Sequence, residues 1–310
     1  MAFAPACGRG SDAVDLSLMK PKPRLLEKIV LAVENATSLD PIANIGQKLT
    51  GRLGPGPVKD ALSGTVFGHP LHPAMVAVPI GSFVGAAVLD LTGAPATASR
   101  RLLGFGLLSA LPTALTGLSD WGDTQGAERR VGVAHALANW AGLGLLAVSW
   151  VSRGRGRDGR GSGLVGLSVL GLGGWLGGHL AYAQGVGVDT TAFQQPVTEW
   201  TDACAADDLI EGQLQVHKVG DTPVLIARVN GAIRAISDRC THRGAPLHEG
   251  TLEHGCVECP WHGSRFDLID GSITRGPATR PQPSFQTRTL AGRVQVKRVE
   301  ARALRLNPAT

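Results

Sequence analysis

Two short motifs in the second half of the chain each pair a cysteine with a histidine. Cys240-Thr-His242 is followed, after sixteen intervening residues, by Cys259-Pro-Trp-His262. Thiolates and neutral imidazoles are side chains that hold iron–sulfur clusters and zinc in proteins. Two loops that each supply one Cys and one His can grip a metal centre from opposite sides. The spacing therefore predicts a metal centre, and an iron–sulfur cluster at this place would carry single electrons.

The sequence around both motifs resembles the Rieske ferredoxin domains over residues 209–298. The resemblance rests on Cys-Thr-His-Arg-Gly-Ala-Pro-Leu-His-Glu-Gly from Cys240 and on Cys-Pro-Trp-His-Gly-Ser-Arg-Phe-Asp from Cys259. Gly276-Pro277 looks like the proline loop that covers the cluster in that family. The family implies a [2Fe-2S] cluster with the cysteines on the inner iron and the histidines on the outer one, at an edge that faces solvent and partners. The implied ligands are Cys240, His242, Cys259 and His262.

Zinc is the alternative that the residues alone leave open. Cys256-Val-Glu-Cys259 is also a C-x-x-C pair, and mixed Cys and His sets commonly bind zinc. In that case Cys256 would be a zinc ligand, and one of the four residues of the Rieske set would not bind the metal. The resemblance of the flanking sequence favours the iron–sulfur cluster.

Departures from the family pattern indicate the redox class of the domain. High-potential members place an extra cysteine in each ligand loop, and the two form a disulfide that braces the cluster. This chain has Ala245 and Trp261 at those positions. High-potential members also place a Ser and a Tyr after the second ligand pair, whose hydroxyls stabilise the reduced cluster. Here the residues are Ser264 and Phe266, so the resemblance is to low-potential, ferredoxin-type Rieske domains.

The first half of the chain is far more apolar than the second, although the whole chain carries a net charge of +5. Mean hydropathy is +0.08 over the 310 residues, even though the second half has the composition of an ordinary soluble domain. About 20 apolar residues in a helix are enough to cross the hydrocarbon core of a bilayer. Four such stretches predict transmembrane helices: Ala74–Leu91, Leu102–Leu118, Gly132–Val151 and Leu164–Ala183.

The predicted fold class is an N-terminal all-α four-helix transmembrane bundle followed by a C-terminal all-β Rieske domain. Gly68-His-Pro-Leu-His-Pro73, just ahead of the first span, makes residues 60–190 similar to a family of small four-helix bacterial membrane domains of uncharacterised function. That resemblance implies a topology and no chemistry. The predicted domains are a polar and basic segment over 1–59, the membrane domain over 60–190, a linker over 191–205, the Rieske domain over 206–300 and a tail over 301–310.

Four polar side chains fall within the predicted spans: Asp90, His135, Asn139 and His179. Polar groups at membrane depth usually face the interior of a helix bundle. Hydrogen bonds between helices would satisfy them. The alternative is that His135 and His179, on successive helices, are the axial ligands of haem b, since cofactor sites in bundles are built from facing helices.

The predicted function is one-electron transfer by a membrane-anchored Rieske protein of the low-potential ferredoxin type. Its redox partner would be a reductase, an acceptor protein or a membrane quinone, and its helices would contact the lipid bilayer. The alternative is a quinone- or haem-linked membrane oxidoreductase with a redox-active helical bundle. A Rieske oxygenase needs a second iron held by two His and a carboxylate after the Rieske domain. No His follows His262, so we do not expect an oxygenase catalytic subunit.

Charged residues near the spans and the ligand pairs bear on orientation and docking. The arginines from Arg153 to Arg160 resemble a nucleic-acid tract, but they are predicted in a short loop between spans, where positive charge more often sets topology. We expect no nucleic-acid partner. These arginines favour an external Rieske domain, whereas the lack of an early twin-arginine signal and of a disulfide framework favours the cytoplasmic orientation that we predict. Arg243 and His248 are expected to shape the docking surface.

Overall fold

The chain folds into a helical domain followed by a β domain, in a computed structural model that describes residues 25–299. The predicted tail over 301–310 and the first 24 residues of the predicted polar segment lie outside this range. The helices of the helical domain are α1 (Leu25–Glu34), α2 (Asp40–Thr50), α3 (Pro57–Ser63), α4 (Leu71–Leu91), α5 (Ala96–Trp121), α6 (Gly126–Gly154) and α7 (Arg160–Tyr182).

Helices α4 to α7 correspond to the four predicted spans, and the structure confirms their number. Each is long and apolar enough to cross a membrane, at 21, 26, 29 and 23 residues. Pro79 and Pro112 lie inside α4 and α5 without ending either helix. The predicted spans were too short at most of their ends because they stopped where the sequence becomes polar, whereas the helical backbone continues, in α5 as far as Trp121.

The long helices pack mainly in two pairs, α4 with α5 and α6 with α7. Small residues let the backbones of a pair approach each other closely. At Gly142 in α6, an added Cβ would lie only 2.7 Å from Leu170 Cγ in α7. The buried apolar residues at the centre of the bundle are Phe83, Ala86, Leu103 and Leu146.

A buried ion pair joins α4 to the last turn of α6. Arg153 Nη1 and Nη2 donate to Asp90 Oδ1 and Oδ2 at 2.7 and 2.6 Å. Only 2% of the Arg153 side chain and 9% of the Asp90 side chain are exposed. The prediction that Arg153 lies in a loop is therefore wrong, because α6 continues to Gly154 and carries this residue back against α4.

The short helices α1 and α2, which lie within the segment predicted over 1–59, pack against the bundle. Val30 of α1 joins Val131 and Leu176 in a buried cluster with α6 and α7. Arg130 of α6 donates to both carboxylate oxygens of Asp40 in α2, at 2.7 and 3.0 Å. These contacts hold the amino-terminal helices beside the same end of the bundle from which α6 begins.

The β domain contains two antiparallel sheets. The six-stranded sheet has the order β1-β10-β9-β4-β3-β2, and the four-stranded sheet has the order β5-β6-β7-β8. Ile236 of the first sheet and Phe266 of the second pack in one buried core, which also contains Cys240 and Cys259. The strands are β1 (Thr201–Ala205), β2 (Leu214–Val219), β3 (Thr222–Val229), β4 (Ala232–Ser237), β5 (Thr251–Glu253), β6 (Cys256–Glu258), β7 (Arg265–Asp267), β8 (Ile273–Arg275), β9 (Ser284–Leu290) and β10 (Arg293–Arg298).

The segment predicted as a linker over 191–205 is attached to the β domain. Its last five residues form β1, which pairs with β10, so the six-stranded sheet begins at Thr201 and not at residue 206. Just before this segment, Thr190 Oγ1 donates to the carbonyl of Cys240 at 2.7 Å. Ser237 Oγ donates to Gln194 Oε1 at 2.9 Å. The connection from α7 is therefore bound along the β domain and is not a free tether.

Candidate metal centre

Two loops of the same construction carry the predicted ligands. The first follows β4 and the second follows β6. In each loop the cysteine N–H donates to the carbonyl five residues later, in the first loop from Cys240 to Ala245 at 2.9 Å and in the second from Cys259 to Ser264 at 2.8 Å. A glycine then donates back to the cysteine carbonyl. This glycine is Gly244 in the first loop, with φ +78°, and Gly263 in the second loop, with φ +72°. Both have a left-handed conformation, which glycine adopts without steric cost.

The four predicted side chains come together between these loops. The Cys240 and Cys259 thiols are hydrogen-bonded to each other, which raises the pKa of Cys240 and lowers the pKa of Cys259 to about 7. The His242 and His262 rings lie edge to face with centroids 5.0 Å apart. One side of the site therefore presents two sulfur atoms and the other presents two imidazoles.

The imidazoles are arranged as ligands of a metal centre would be. The Nδ1 atoms of His242 and His262 are buried, and neither has a hydrogen-bond partner within residues 25–299. A buried polar atom without a partner costs about 1–3 kcal/mol. Burial also lowers the pKa of both histidines, in His242 to well below its usual value, so the rings are in the neutral form that binds metals. The donor set thus fits a two-iron cluster held by two thiolates and two neutral imidazoles.

Cys256, the ligand that zinc would require, lies elsewhere. It is half-buried in β6, and its Sγ lies 3.9 Å from Thr274 Oγ1 of β8. A zinc site brings four ligands to about 2 Å from one ion. No three His, Cys, Asp or Glu side chains of the described part of the chain converge in that way. A two-iron cluster needs instead one pair of ligands at each iron, and the two cysteines and the two histidines would supply these pairs.

The loop beyond β8 covers the site. It contains a cis peptide bond between Gly276 and Pro277. Ser264 Oγ, fully buried beside the second ligand loop, accepts a hydrogen bond from the Ala278 N–H at 3.0 Å. The side chain of Phe266 is also fully buried and has no hydroxyl to offer. Of the two hydroxyls found in high-potential members, the chain therefore has the one at Ser264 and lacks the one at Phe266.

Comparison with known proteins identifies the β domain. Residues 199–286 match the Rieske [2Fe-2S] domain. The ferredoxin CarAc of Metapseudomonas resinovorans is 38% identical over 98 residues, which are 31% of this chain and 92% of that protein. The chain belongs to the Rieske [2Fe-2S] family. The Rieske domain binds a [2Fe-2S] cluster and is an electron-transfer domain of the ferredoxin type.

Further comparisons cover both halves of the chain. The anthranilate 1,2-dioxygenase ferredoxin subunit of Burkholderia cepacia is 33% identical over 100 residues, covering 32% of this chain and 93% of that protein. A solved complex of reduced oxygenase and oxidized ferredoxin in carbazole 1,9a-dioxygenase contains a chain that is 35% identical, with a TM-score of 0.30, covering 33% of this chain and 94% of that one. Residues 68–190 match a family described as predicted membrane protein (DUF2231). The predicted fusion of a membrane domain with a Rieske domain is confirmed.

The histidine edge of the Rieske domain lies against the helical domain. His242 Nε2 is 3.5 Å from Asp123 Oδ2, in the turn between α5 and α6. Arg243 pairs with Glu128 in the first turn of α6. The expectation that this edge faces solvent is wrong at His242, of whose side chain only 15% is exposed. Arg243, expected at a docking surface for a partner, instead joins the two domains of one chain.

The other loops of the Rieske tip also touch the helical domain. An added Cβ at Gly263 would lie 2.6 Å from Pro55 Cγ, and one at Gly276 would lie 2.7 Å from Asp60 Oδ1. The helical domain therefore contacts the second ligand loop and the proline loop as well as the first ligand loop. By contrast, His248 pairs within its own domain, with Nδ1 2.8 Å from Asp238 Oδ2.

A cleft remains beside the docked edge. Its volume is about 440 Å³, and His262 and Trp261 form part of its wall on the Rieske side. Gln47, Lys59 and Asp123 form part of the opposite wall. Half of the Trp261 surface is exposed. The cleft is the open approach to the second histidine.

The two histidines considered as haem ligands have separate partners. His135 Nδ1 is 2.8 Å from the Gly173 carbonyl, and its Nε2 is 3.0 Å from Asn139 Nδ2. His179 Nε2 is 2.9 Å from Glu34 Oε1 of α1. The contacts of His135 with Gly173 and of His179 with Glu34 are hydrogen bonds between helices, as the first interpretation expects.

Proposed function

We propose that the chain is a membrane-anchored electron carrier whose [2Fe-2S] cluster is held by Cys240, His242, Cys259 and His262. The observation that carries the ligand set is the pair of buried histidine Nδ1 atoms, which have no hydrogen-bond partner in the described part of the chain, together with two thiols that share a hydrogen bond. When bound, the cluster supplies a centre that gains and releases one electron.

The residues of the chain hold this centre and exclude water from it. The buried core that contains Cys240 and Cys259 closes the inner side. Backbone N–H groups of Trp261 and His262 point at the Cys259 sulfur and help to lower its pKa, which favours the thiolate that binds iron. The proline loop and the turn that contains Asp123 cover the outer side at His242, whereas the cleft leaves an approach to His262.

We further propose that the carrier has a low potential within the Rieske range of about −150 to +300 mV. Three positions support this. Ala245 is buried where a bracing cysteine would stand, and Trp261 is half-exposed at the other bracing position. Phe266 brings no hydroxyl to the buried core around the cysteines, so the reduced cluster lacks one hydrogen bond. A hydrogen bond of about 0.5–1.5 kcal/mol corresponds to tens of millivolts in the potential of a one-electron couple.

The proposed location is the cell membrane, with the helical bundle spanning the bilayer and the Rieske domain in the cytoplasm. The four apolar helices and the match to a predicted membrane protein family support the anchor. Cys204 and Cys256, which lie outside the proposed ligand set, are free thiols, and this supports a reducing compartment such as the cytoplasm. The proposed partner is a redox protein, since one relative named above is a ferredoxin and another is the ferredoxin subunit of a dioxygenase.

A quinone-linked oxidoreductase is the second candidate. The cleft of about 440 Å³ beside His262 favours it, because a small planar electron carrier could reach the histidine edge there without separating the domains. Under this proposal a short-chain quinol reduces the cluster in the purified full chain. A cluster that dithionite reduces and quinol does not would count against it.

The ligand set is tested by replacing each cysteine in turn in the full chain. Cys259→Ser should abolish the electron paramagnetic resonance signal of the reduced cluster and release the iron. Cys256→Ser should leave both unchanged, as should the remote control Cys204→Ser in β1. Loss of the signal in Cys256→Ser, or a purified chain that contains zinc and no iron, would show that the ligand set is wrong.

A further inference from the structure

We propose that Asp123 is a positioning residue for the cluster, and that its charge, balanced by Lys59, sets the reduction potential through His242. The inference rests on the ligand set proposed above. It assigns to the helical domain a part in the redox chemistry of the Rieske domain.

Asp123 faces the outward nitrogen of a proposed ligand. His242 Nδ1 is the buried nitrogen that would bind iron, so Nε2 is the nitrogen left to carry a proton. Asp123 Oδ2 lies 3.5 Å from that Nε2 atom. Histidines that bind metals commonly direct their second N–H at a carboxylate, which orients the ring and raises its basicity. Here the carboxylate comes from the other domain of the chain.

The carboxylate is held in place from the side of the helical domain. Lys59 Nζ lies 2.8 Å from the same Asp123 oxygen and donates to the Ser119 carbonyl at 2.6 Å. The side chains of Lys59 and Asp123 are 9% and 12% exposed. The turn that carries Asp123 is closed by the Thr124 N–H, which donates to the Trp121 carbonyl at 3.0 Å. Asp123 is therefore held by contacts within the helical domain, in the turn that follows α5.

The two charges should act on the potential in opposite directions. The oxidised cluster carries one more positive charge than the reduced cluster. A carboxylate beside His242 therefore stabilises the oxidised state, and charges in such poorly hydrated surroundings interact more strongly than in water. The Lys59 ammonium offsets part of this effect. Removing the Asp123 charge should raise the midpoint potential, whereas removing the Lys59 charge should lower it.

The test is a redox titration of the purified full chain, monitored by the electron paramagnetic resonance of the reduced cluster. Asp123→Asn keeps the size of the side chain and removes its charge, and we expect a higher midpoint potential than in the wild type. Lys59→Gln should give a lower one. Asp40→Asn is the matched control, because it removes a carboxylate of the same domain that pairs with Arg130 and not with the Rieske tip. It should leave the potential unchanged.

Glu128→Gln separates a direct effect from simple loosening of the domains. Glu128 pairs with Arg243 and is not the carboxylate that faces His242. Its replacement should change the potential less than Asp123→Asn does. Equal shifts in these two variants, shifts of the same sign in Asp123→Asn and Lys59→Gln, or no shift in either would overturn the role of Asp123. A wild-type chain without a Rieske signal would instead overturn the proposed function, and those two failures are distinguishable.

Discussion

Replacing Arg153 by Met should destabilise the helical domain more than other arginine replacements near the same loop. Arg153 donates two hydrogen bonds to Asp90 and a third, from Nε, to Ser149 Oγ at 3.1 Å. Methionine fills a similar length but takes from the buried Asp90 carboxylate the counterion that is hydrogen-bonded to it. Breaking a buried ion pair in this way costs about 3–5 kcal/mol. A change of about 1.4 kcal/mol alters an equilibrium constant tenfold, so the folding equilibrium constant should fall by roughly two to three and a half powers of ten.

The measurement is denaturant unfolding of the full chain in detergent micelles, followed by the far-ultraviolet helical signal. Arg155→Met is the matched control, because Arg155 is exposed just beyond the end of α6 and its loss should cost no more than about 0.5 kcal/mol. The double variant Asp90→Asn with Arg153→Met should recover much of the loss, since replacing both members of a buried pair is often neutral. A loss below about 1 kcal/mol in the single variant, or no recovery in the double variant, would refute the reasoning.

Two further outcomes follow from the proposed function. Phe266→Tyr should raise the midpoint potential by about 20–60 mV, because a hydroxyl that reaches a cluster sulfur adds one hydrogen bond of about 0.5–1.5 kcal/mol. A wild-type potential in the upper part of the Rieske range, or a fall in the variant, would contradict the low-potential class. In intact cells, protease added outside should leave the Rieske domain uncut, and disrupted membranes should expose it. Cleavage in intact cells would place the domain on the outer side.

The ligand loops could be predicted from the sequence because the residues that determine their conformation are close together in the chain. Each loop closes within five residues, and the glycines at positions 244 and 263 occupy the left-handed conformation that the turn requires. The number of long helices was readable for a similar reason, because an apolar run of sufficient length marks each one. Neither inference needed a partner from a distant part of the chain.

The errors concern contacts between residues that are far apart in sequence. The sequence places Arg153 in a loop because the apolar span ends at Val151, whereas the position of Arg153 is decided by Asp90, 63 residues earlier. The histidine edge was expected in solvent because nothing near His242 in the sequence indicates that Asp123 covers it. In the same way, β1 could not be recognised within the predicted linker, because its pairing partner β10 lies about 90 residues later.

These distant contacts bear on why the chain has a bundle of helices and not one anchoring helix. One apolar helix of about 20 residues would tether a ferredoxin to a membrane. Such a tether would leave the histidine edge of the cluster open to any partner. In this chain α3, the α5–α6 turn and the first turn of α6 together supply Lys59, Asp123 and Glu128 to the Rieske tip. A protein that is to exchange electrons at His242 must therefore first separate the domains, whereas a small carrier can approach His262 through the cleft. In this arrangement the helical domain limits access to the cluster at His242 and leaves access at His262.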